Sequence, residues 1–377
     1  MRIGFDVAQT CGEKAGCAWM AESLARALAN IDTANTLILY HHFDKWLNAS
    51  TAHGLHLKLP NVKMPMMHMQ AEQARKIWKD AEVSGVALPG KPDIIQANSF
   101  NCPKVSGIPL VYLVHDLAFW VRPEFSTEAN RLLCQRGVLD AIMYADAFIF
   151  TTEFILGEFE RMFPHWLEIQ QKPYTVIPLA SRFEFGKRNS IKDAPQNFWL
   201  AVGSLEPRKN YELLLDAHSQ YWKKSRLKKP LRIAGGKGWK SDGVHKRIIE
   251  WQALGRCEYL EYVADSKLQE LYQSAFGLVF PSHYEGFGLP LVEAMSLGCP
   301  VIAAKEASLP EVGQNGVLYL DALTPESLCN CMLAVEEDSS LRGELIEEGV
   351  NRAQRLTWQR SADLTIRFYE RILGMKY

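Results

Sequence analysis

The chain has 377 residues, of which 47% are apolar and 23% charged, and its formal net charge is −1. This length predicts two domains at roughly 100–200 residues each, and the apolar content excludes a disordered chain. The near-neutral charge removes any global attraction for nucleic acid, and no apolar stretch reaches the roughly 20 residues that span a bilayer.

The N-terminus begins directly on a strand-like run, Met1 to Asp6, without the layout of a signal peptide. We therefore expect a cytosolic protein. The eight cysteines should then be free thiols, because cytosolic proteins rarely hold disulfides. Their spacing does not match that of a zinc site.

Strand-like and helix-like segments alternate through the first half of the chain. The predicted strands are Ile3–Val7, Thr36–Tyr40, Asp93–Gln96, Leu110–Val114 and Ala147–Thr151. A helix is predicted over Ala18–Asn30, because Met20, Leu24 and Leu28 share one face. Strands that alternate with helices indicate a parallel, doubly wound sheet.

The second half repeats this pattern. The predicted strands are Asn197–Val202, Leu231–Ala234, Glu258–Tyr262, Gly277–Pro281 and, as the last core strand, Val301–Ala303. The predicted helices are Tyr211–Lys223, Ser266–Ser274, Leu289–Leu297 and, at the end of the chain, Trp358–Leu373. The stretch Pro178–Gln196 has neither period and carries turn residues, so we place the domain boundary there. Ligands of such sheets bind at the carboxyl ends of the strands.

The most informative stretch, Pro281–Met295, joins a strand to a helix through a turn with two glycines, Gly286 and Gly288. Such a turn leaves backbone N–H groups at a helix N-terminus, which attracts phosphate. Glu285 and Glu293 bracket the turn, and carboxylates accept hydrogen bonds from hydroxyls. The stretch indicates a ligand with sugars on both sides of a phosphate, such as a nucleotide sugar. A purely structural turn with solvated glutamates is the alternative.

A second candidate loop, Gly203–Asn210, follows a predicted strand and contains Arg208 and Lys209 side by side. Adjacent cations at a strand end can neutralise a diphosphate, because arginine offers a bidentate fork and lysine a compact point charge. A solvated loop is the alternative, since charged side chains are ordinarily exposed.

Two further loops lie at predicted strand ends in the first half. His115 directly follows the strand Leu110–Val114, where it can contact a ligand, and Asp116 could set its tautomer. A structural or merely exposed histidine is the alternative. The loop Thr10–Cys17 contains Gly16, which on its own is weak evidence for a binding loop.

Together these motifs resemble retaining glycosyltransferases of family 4, which have the GT-B fold. The E-x7-E spacing of Glu285 and Glu293 carries the resemblance. Four other runs agree with it: Gly298–Ala303, Ser308–Gly313, Val111–Trp120 and Pro123–Phe125. The last two are similar to a subgroup rich in mannosyltransferases.

The resemblance implies an α/β protein with two Rossmann-like domains whose parallel sheets face a deep cleft. Residues 1–180 would bind the acceptor and residues 181–357 the nucleotide-sugar donor. The C-terminal helix, 358–377, would pack on the N-terminal domain.

The implied activity moves a hexosyl group, in this subgroup mannosyl from GDP-mannose, to a glycan or lipid-linked acceptor hydroxyl with retention. The resemblance gives catalytic roles to His115, Arg208, Lys209 and Glu285. It assigns donor binding to Gly16, Arg208, Lys209, Val263, Glu285, Gly286, Phe287, Gly288, Leu289 and Glu293. In the family the histidine lies beside the transferred sugar, the second glutamate holds the ribose, and backbone at Val263 reads the base. The glycine loop departs from the commoner pattern, because Cys17 and Ala18 follow Gly16.

No D-x-D sequence occurs, so we expect no metal and no cofactor besides the donor. A UDP-sugar donor stays open, as do a nucleotide-sugar epimerase and a non-catalytic glycan-binding protein. A glycogen-synthase-like or sucrose-related enzyme would share the E-x7-E spacing but is usually longer. A dehydrogenase is disfavoured, because no G-x-G-x-x-G follows the first strand. Peripheral contact with the inner face of a membrane also stays open. It could involve the basic run Lys223–Lys229 or the segment Met64–Met69 with Trp78, although a solvated helix end and a core role are the respective alternatives.

Overall fold

The computed structural model describes residues 1–12, 14–31, 33–184 and 197–375. The chain forms two compact units. The first unit comprises Met1–Pro123, Thr127–Arg182 and Trp358–Tyr377, and the second comprises Glu124–Ser126 and Phe183–Thr357. The predicted boundary segment, 178–196, lies partly outside the described residues.

The first unit is built on a seven-stranded parallel sheet. Its strands are β1 (Arg2–Asp6), β2 (Thr36–Tyr40), β3 (Val62–Lys63), β4 (Ile94–Ala97), β5 (Leu110–Val114), β6 (Ala147–Phe150) and β7 (Tyr174–Val176). The strand order is β3-β2-β1-β4-β5-β6-β7. All five residues of β5 are buried, which explains why its sequence is apolar without alternation.

Helices follow most of these strands in the chain. They are α1 (Gly16–Ile31), α2 (Ala71–Ala81), α3 (Ala118–Val121), α4 (Glu128–Tyr144), α5 (Glu153–Met162) and α6 (Trp166–Ile169). Helix α1 begins at Gly16, two residues before the predicted start. The prediction rested on the spacing of the buried apolar residues, which begin at Ala18, so it did not include Gly16 and Cys17.

The second unit contains a six-stranded parallel sheet. Its strands are β8 (Trp199–Val202), β9 (Leu231–Ala234), β10 (Cys257–Tyr259), β11 (Gly277–Phe280), β12 (Val301–Ala303) and β13 (Leu318–Tyr319), in the order β10-β9-β8-β11-β12-β13. Its helices are α7 (Tyr211–Lys224), α8 (Asp242–Ala253), α9 (Asp265–Ser274), α10 (Leu289–Ser296), α11 (Leu309–Gly313), α12 (Pro325–Glu337) and α13 (Ser339–Ala353).

One predicted strand in this unit has the wrong bounds, and the sheet extends one strand beyond β12, the predicted last core strand. The additional edge strand, β13, pairs with β12 through Leu318 and Tyr319, which are only partly buried. A two-residue edge strand is too short to show a period. The strand predicted over Glu258–Tyr262 instead ends at Tyr259, and the residues that follow are mostly exposed.

The C-terminal helix, α14 (Trp358–Ile372), belongs to the first unit. Trp358 Nε1 donates to the Ser181 carbonyl at 2.8 Å, and Ser361 Oγ donates to the Pro178 carbonyl at 2.6 Å. Tyr369 is fully buried and its hydroxyl donates to Gln96 Oε1 at the end of β4. The C-terminal helix is therefore part of the same compact unit as the N-terminus of the chain.

The two segments considered for membrane contact have different environments. Trp78 and Met66 are buried, and Trp78 packs edge-on against Tyr40 and Phe43 with ring centroids 5.6 and 4.8 Å away. Met66 and Trp78 are therefore part of the core, whereas Met64, Met67 and Met69 are partly exposed. The basic run Lys223–Lys229 lies at the largely exposed end of α7, as expected for a solvated helix end.

No helix in the described ranges is both long enough and apolar enough to cross a membrane.

Candidate active site

The second sheet reverses its winding between β8 and β11. The chain leaves β8 for β9 on one side and leaves β11 for β12 on the other, although β8 and β11 are neighbours. Loops that diverge from adjacent strands leave a crevice at the carboxyl ends of those strands. The two most informative sequence motifs, with Arg208 and Glu285, are the loops at this point.

Glu285 is the centre of an ion-pair network between these loops. Its Oε2 accepts from Arg208 Nη1 at 2.5 Å, and its Oε1 accepts from Lys209 Nζ at 2.7 Å. The carboxylate is only 5% exposed, and the Lys209 side chain is 10% exposed. Both cations are therefore oriented by one buried acid.

Arg208 is held by two more acceptors. Its Nη1 also donates to the Tyr284 carbonyl at 3.0 Å, and its Nη2 donates to Glu206 Oε1 at 2.7 Å. Glu206 is itself buried. Two buried acids thus face two partly buried cations, and this pairing lowers the cost of removing the four charges from water.

Backbone contacts fasten the two loops to each other. His283 N donates to the Arg208 carbonyl at 2.8 Å, and Asn210 Nδ2 donates to the Pro281 carbonyl at 3.2 Å. Asn210 adopts the left-handed conformation, with φ of 57°, which asparagine tolerates better than most residues. The loops therefore form one rigid edge.

The pKa values of Glu285 and Lys209 are both lowered, for different reasons. Burial alone would raise the pKa of Glu285, but the charges of Arg208 and Lys209 outweigh it and lower that pKa. Burial lowers the pKa of Lys209, and Glu285 opposes the shift. Glu285 is therefore a stable carboxylate at neutral pH.

Two glycines are required at this edge, Gly288 by its positive φ and Gly235 by close packing against backbone. Gly288 has a φ of +88°, and a Cβ there would lie 2.7 Å from Leu309 Cδ2. A Cβ on Gly235, in the loop after β9, would lie 2.0 Å from the Gly203 carbonyl oxygen. At these two positions the absence of a side chain permits the observed backbone conformation and the close approach of neighbouring atoms.

Helix α10 begins directly after this turn, at Leu289. The first N–H groups of a helix have no partner inside the helix and attract anions. Pro290, in the first turn, suits this position because it lacks an N–H that would need a partner there. Gly286, Phe287 and Gly288 are buried beside that helix start.

Glu293 lies within α10 and is 4% exposed. Tyr272 of α9 donates to its Oε2 at 3.0 Å. Val263 is partly exposed in the loop that leads from β10 into α9. The contact between Tyr272 and Glu293 therefore fixes the carboxylate against the helix that follows the predicted base-binding loop.

Gly16 and His115 belong to the first unit, where the sheet reverses its winding between β1 and β4. Gly16 is exposed at the start of α1, after β1, and His115 follows β5. His115 is 8% exposed, and its Nε2 lies 2.7 Å from the Asn98 carbonyl oxygen.

The predicted role of Asp116 in orienting His115 was wrong. Asp116 Oδ1 accepts from Ala118 N at 3.1 Å and closes a local turn. The Asn98 carbonyl sets the tautomer instead, because a carbonyl can only accept and Nε2 must carry the proton. The sequence separates Asn98 from His115 by 17 residues, so only the pairing of β4 with β5 brings them together.

The structure thus brings Arg208, Lys209 and Glu285 into direct contact. The remaining predicted residues of the second unit, Val263, Gly286, Phe287, Gly288, Leu289 and Glu293, lie on loops and helices that follow strands of the same sheet. Sequence reasoning missed the buried partners Glu206, Asn210, Tyr272 and Asn98. Glu206 and Asn210 lie inside the quoted motif, whereas Tyr272 and Asn98 left no sequence signal.

Comparison with known proteins agrees with this geometry. Residues 183–352 match the family described as "Glycosyl transferases group 1". The chain is 28% identical over 269 residues to O-antigen chain mannosyltransferase B of Escherichia coli, with 68% of each chain covered. It is 30% identical over 284 residues to the serotype-specific mannosyltransferase WbdA of Escherichia coli, covering 70% of this chain and 34% of that one. The chain therefore spans about a third of the length of WbdA.

Solved structures share the fold. A sucrose-phosphate synthase from Thermosynechococcus elongatus aligns over 100% of both chains with a TM-score of 0.70 and 18% identity. Anabaena HepE in complex with UDP and glucose aligns over 98% of this chain and 99% of that one, with a TM-score of 0.68 and 18% identity. The α/β, GT-B fold class is thereby confirmed.

The chain is a glycosyltransferase, and residues 183–352 form its group 1 glycosyltransferase domain. Its relatives include O-antigen mannosyltransferases, which agrees with the mannosyltransferase-like subgroup of family 4 that the motifs predict.

Proposed function

We propose that this enzyme transfers a mannosyl group from GDP-mannose to a hydroxyl of a glycan or lipid-linked saccharide, with retention at the anomeric carbon. The observation that carries the proposal is the buried network in which Glu285 holds Arg208 and Lys209 at 2.5 and 2.7 Å. Two oriented cations beside a helix N-terminus are suited to a diphosphate leaving group.

Arg208 and Lys209 stabilise the charge that develops on the diphosphate as the glycosidic bond breaks. Oriented cations and dipoles at such a position are often the largest catalytic contribution, because they need no rearrangement during the reaction. Backbone N–H groups at the start of α10, from Gly286 to Leu289, add to this field. Because these groups stabilise the negative charge on the departing diphosphate, we expect that the reaction requires no divalent metal.

Glu285 binds hydroxyls of the transferred sugar and is not the nucleophile in this mechanism. Each of its oxygens already accepts from a cation, which lowers the pKa of the carboxyl and its nucleophilicity. The acceptor hydroxyl instead attacks from the face that the diphosphate leaves, and the departing phosphate takes its proton.

The remaining predicted residues take the roles that the family resemblance implies. Glu293 accepts from the ribose hydroxyls, and backbone at Val263 contacts the base. Gly16 brings the first turn of α1 close to the donor phosphates. His115 contacts the transferred sugar.

The donor and the acceptor class are inferred from the relatives. The two relatives named above are an O-antigen and a serotype-specific mannosyltransferase, so mannose is the favoured sugar and a saccharide the favoured acceptor. A UDP-sugar is the second candidate, because the HepE structures hold UDP and glucose. An enzyme with a lipid-linked acceptor would work in the cytoplasm at the inner face of the membrane.

Thermal denaturation with GDP, UDP and ADP tests the donor. A ligand at 100 times its Kd adds about 2.7 kcal/mol to the free energy of unfolding, which is a shift of several degrees. We expect the largest shift with GDP, and a matched variant of an exposed glutamate in the same unit, Glu250→Ala, should respond as the wild type does. Stabilisation by UDP with no response to GDP would replace the proposed donor.

Turnover of GDP-mannose with saccharide acceptors, followed by NMR of the new anomeric proton, tests the reaction. We expect an α-linked product from the α-linked donor, and equal rates with and without EDTA. Release of an epimerised sugar without acceptor would point to an epimerase. Complete loss of activity in EDTA, restored by Mg²⁺, would contradict the metal-free mechanism.

A further inference from the structure

Three neighbouring strands of the first sheet, β1, β4 and β5, end at one edge. Asp6 is the last residue of β1, Asn98 directly follows β4, and His115 directly follows β5. None of these three residues is more than 8% exposed. Because parallel strands bring their carboxyl ends to the same edge, Asp6 and Asn98 are in contact although they are 92 residues apart in the chain.

The carbonyl of Asn98 orients the ring of His115. The ring Nε2 donates to that oxygen at 2.7 Å, and Gln9 Nε2 donates to the same oxygen at 3.1 Å. The His115 carbonyl accepts from Thr151 Oγ1 at 3.2 Å, which holds its backbone. With its backbone held, the direction of the ring depends on where the Asn98 carbonyl lies.

Asp6 holds Asn98 through both the backbone and the side chain. Asn98 N donates to Asp6 Oδ2 at 3.2 Å, and Asn98 Nδ2 donates to the Asp6 carbonyl at 2.9 Å. The same Oδ2 accepts from Ser99 Oγ at 2.9 Å, and Oδ1 accepts from Ala8 N at 3.0 Å. One residue thus fixes the segment 98–99, whose first carbonyl contacts the ring.

The Asp6 carboxylate resists displacement of this segment because it is fully buried. A buried carboxylate that loses a hydrogen-bond donor cannot replace it with water, so the loss is costly. Burial raises the pKa of Asp6 to about 6, while the hydrogen bonds from Ala8 N, Ser99 Oγ and Asn98 N and the charge of His115 oppose the shift. At neutral pH the group is therefore a carboxylate that accepts from all three donors.

The Asn98 side chain has a further anchor in the same unit. Gln96 Nε2 donates to Asn98 Oδ1 at 2.6 Å, and Gln96 Oε1 accepts from the hydroxyl of Tyr369 in α14. Gln96 and Tyr369 are fully buried and neutral, so they add support without adding charge.

We propose that Asp6 is a positioning residue for His115: its carboxylate holds the segment 98–99 in place, so that the Asn98 carbonyl orients the imidazole that meets the transferred sugar. Asp6 acts through Asn98 and does not itself bind the sugar. The inference rests on the proposed function, in which His115 acts on that sugar.

Asp6→Asn in the full chain tests the proposal. The amide keeps the size of the side chain but replaces one acceptor oxygen with an N–H donor, which opposes the donors of Ala8 or of the segment 98–99. We expect kcat at saturating donor to fall roughly 10- to 100-fold, since a small misplacement of a reacting group costs about that much. Affinity for nucleoside diphosphate should change little, and an unchanged kcat in folded Asp6→Asn would overturn the proposal.

A double-mutant cycle with His115→Gln separates positioning from general support of the fold. If Asp6 acts through the ring, Asp6→Asn should cause little further loss in kcat once His115→Gln has removed the ring. Equal losses in both backgrounds would mean that Asp6 supports the unit as a whole, and the positioning role would be wrong.

The ring nitrogens of His115 report its position directly. Above the titration midpoint of the ring, the neutral imidazole of the wild type should carry its proton on Nε2, which donates to the Asn98 carbonyl. NMR shifts of the ring nitrogens distinguish the two tautomers, with His115→Gln to assign the signal among the ten histidines. In Asp6→Asn we expect a larger share of the Nδ1–H tautomer, and an unchanged tautomer would contradict the inference.

This NMR measurement needs no sugar donor. If the wild type transfers no sugar from any nucleotide donor, the proposed function fails, whereas the tautomer still decides whether Asp6 holds the ring.

Asp146→Asn is the matched control in the same sheet. Asp146 Oδ2 accepts from Leu110 N at 2.8 Å, at the start of β5 and so at the opposite end of that strand from His115. This variant should keep the wild-type kcat and tautomer. A loss as large as that of Asp6→Asn would mean that loosening of the sheet moves the ring, and the inference would fail.

Ser99→Ala covers the case in which Asp6→Asn does not fold. It removes one donor to Asp6 Oδ2 and keeps the carboxylate, so its effects on kcat and on the tautomer should be smaller and in the same direction. Wild-type values of both in Ser99→Ala, with Asp6→Asn unfolded, would overturn the proposal.

Discussion

The hydroxyl of Tyr272 donates a hydrogen bond of 3.0 Å to Oε2 of Glu293, and both residues are buried. This contact ties α9 to α10, the helix whose N-terminus follows the Glu285 turn. A buried carboxylate held in this way needs little reordering when a hydroxyl-bearing ligand arrives. The contact therefore fixes the Glu293 carboxylate as a hydrogen-bond acceptor.

Glu293→Ala should weaken binding of the nucleoside diphosphate by roughly 10- to 100-fold, because a lost hydrogen bond to a charged group costs about 1.5–3 kcal/mol. Tyr272→Phe keeps the carboxylate but releases its anchor, so its effect should be smaller. Calorimetry measures both affinities, with Glu250→Ala as the exposed control. Unchanged affinity in Glu293→Ala would remove Glu293 from the site.

Arg208→Ala and Lys209→Ala should each lower kcat by roughly 10²–10³, the range for removing one group that stabilises a developing negative charge. Binding of a neutral nucleoside should change little, since no charge is neutralised. Each single variant leaves Glu285 one cation, so the fold should persist. The measurement pairs turnover at saturating donor with nucleoside affinity.

The control for these variants is Arg247→Ala in the same unit. Arg247 forms ion pairs with Glu212 and Asp216, whose side chains are about half exposed, and such pairs contribute little. Its loss should leave kcat near the wild-type value. If Arg208→Ala and Lys209→Ala also kept kcat near the wild-type value, other residues would have to bind the diphosphate.

His115→Ala should bind nucleoside diphosphate as the wild type does and lose roughly 10²–10⁴ in transfer, the range for a positioned polar or proton-transferring side chain. His115→Gln can still donate to the Asn98 carbonyl but lacks the second ring nitrogen, so it should fold well and remain slow. Near-normal turnover in both variants would make His115 a structural residue. Loss of nucleotide binding would mean that the residue serves the nucleotide instead.

His218 should make the protein less stable in acid. The residue is fully buried against the rings of Tyr221, Trp222 and Trp251, and its Nε2 donates to the Lys229 carbonyl at 2.9 Å. Burial lowers the pKa of His218 to about 4. Between pH 6.5 and 4 the unfolded chain binds a proton that the folded chain does not, so stability falls as pH falls.

Denaturant unfolding at pH 7 and pH 4.5 measures this effect. The shift in pKa corresponds to about 3 kcal/mol over the full window. His218→Gln can keep the bond to Lys229 without titrating, so it should lose less stability in acid than the wild type. The exposed-histidine variant His165→Gln should match the wild type, and equal acid sensitivity in His218→Gln would contradict the assignment.

The sequence alone predicted the alternation of strands and helices and the loops that carry the charged residues. Buried parallel strands such as β5 are apolar at every position, which shows directly in the sequence. The bounds of β2, β5, β9 and β12 agree with the predicted ones, because turn residues flank those runs. The E-x7-E spacing and the Arg208-Lys209 pair are local in the chain, so they were visible before folding.

Only the tertiary structure decided which groups meet. Lys209 and Glu285 are 76 residues apart, and they touch because β8 and β11 are neighbours in the sheet. His115 contacts the Asn98 carbonyl because β5 and β4 are neighbours in the first sheet. The order of strands in a sheet depends on how entire helices and strands pack, and no local sequence pattern encodes it. The contacts of each site residue were therefore visible only in the tertiary structure.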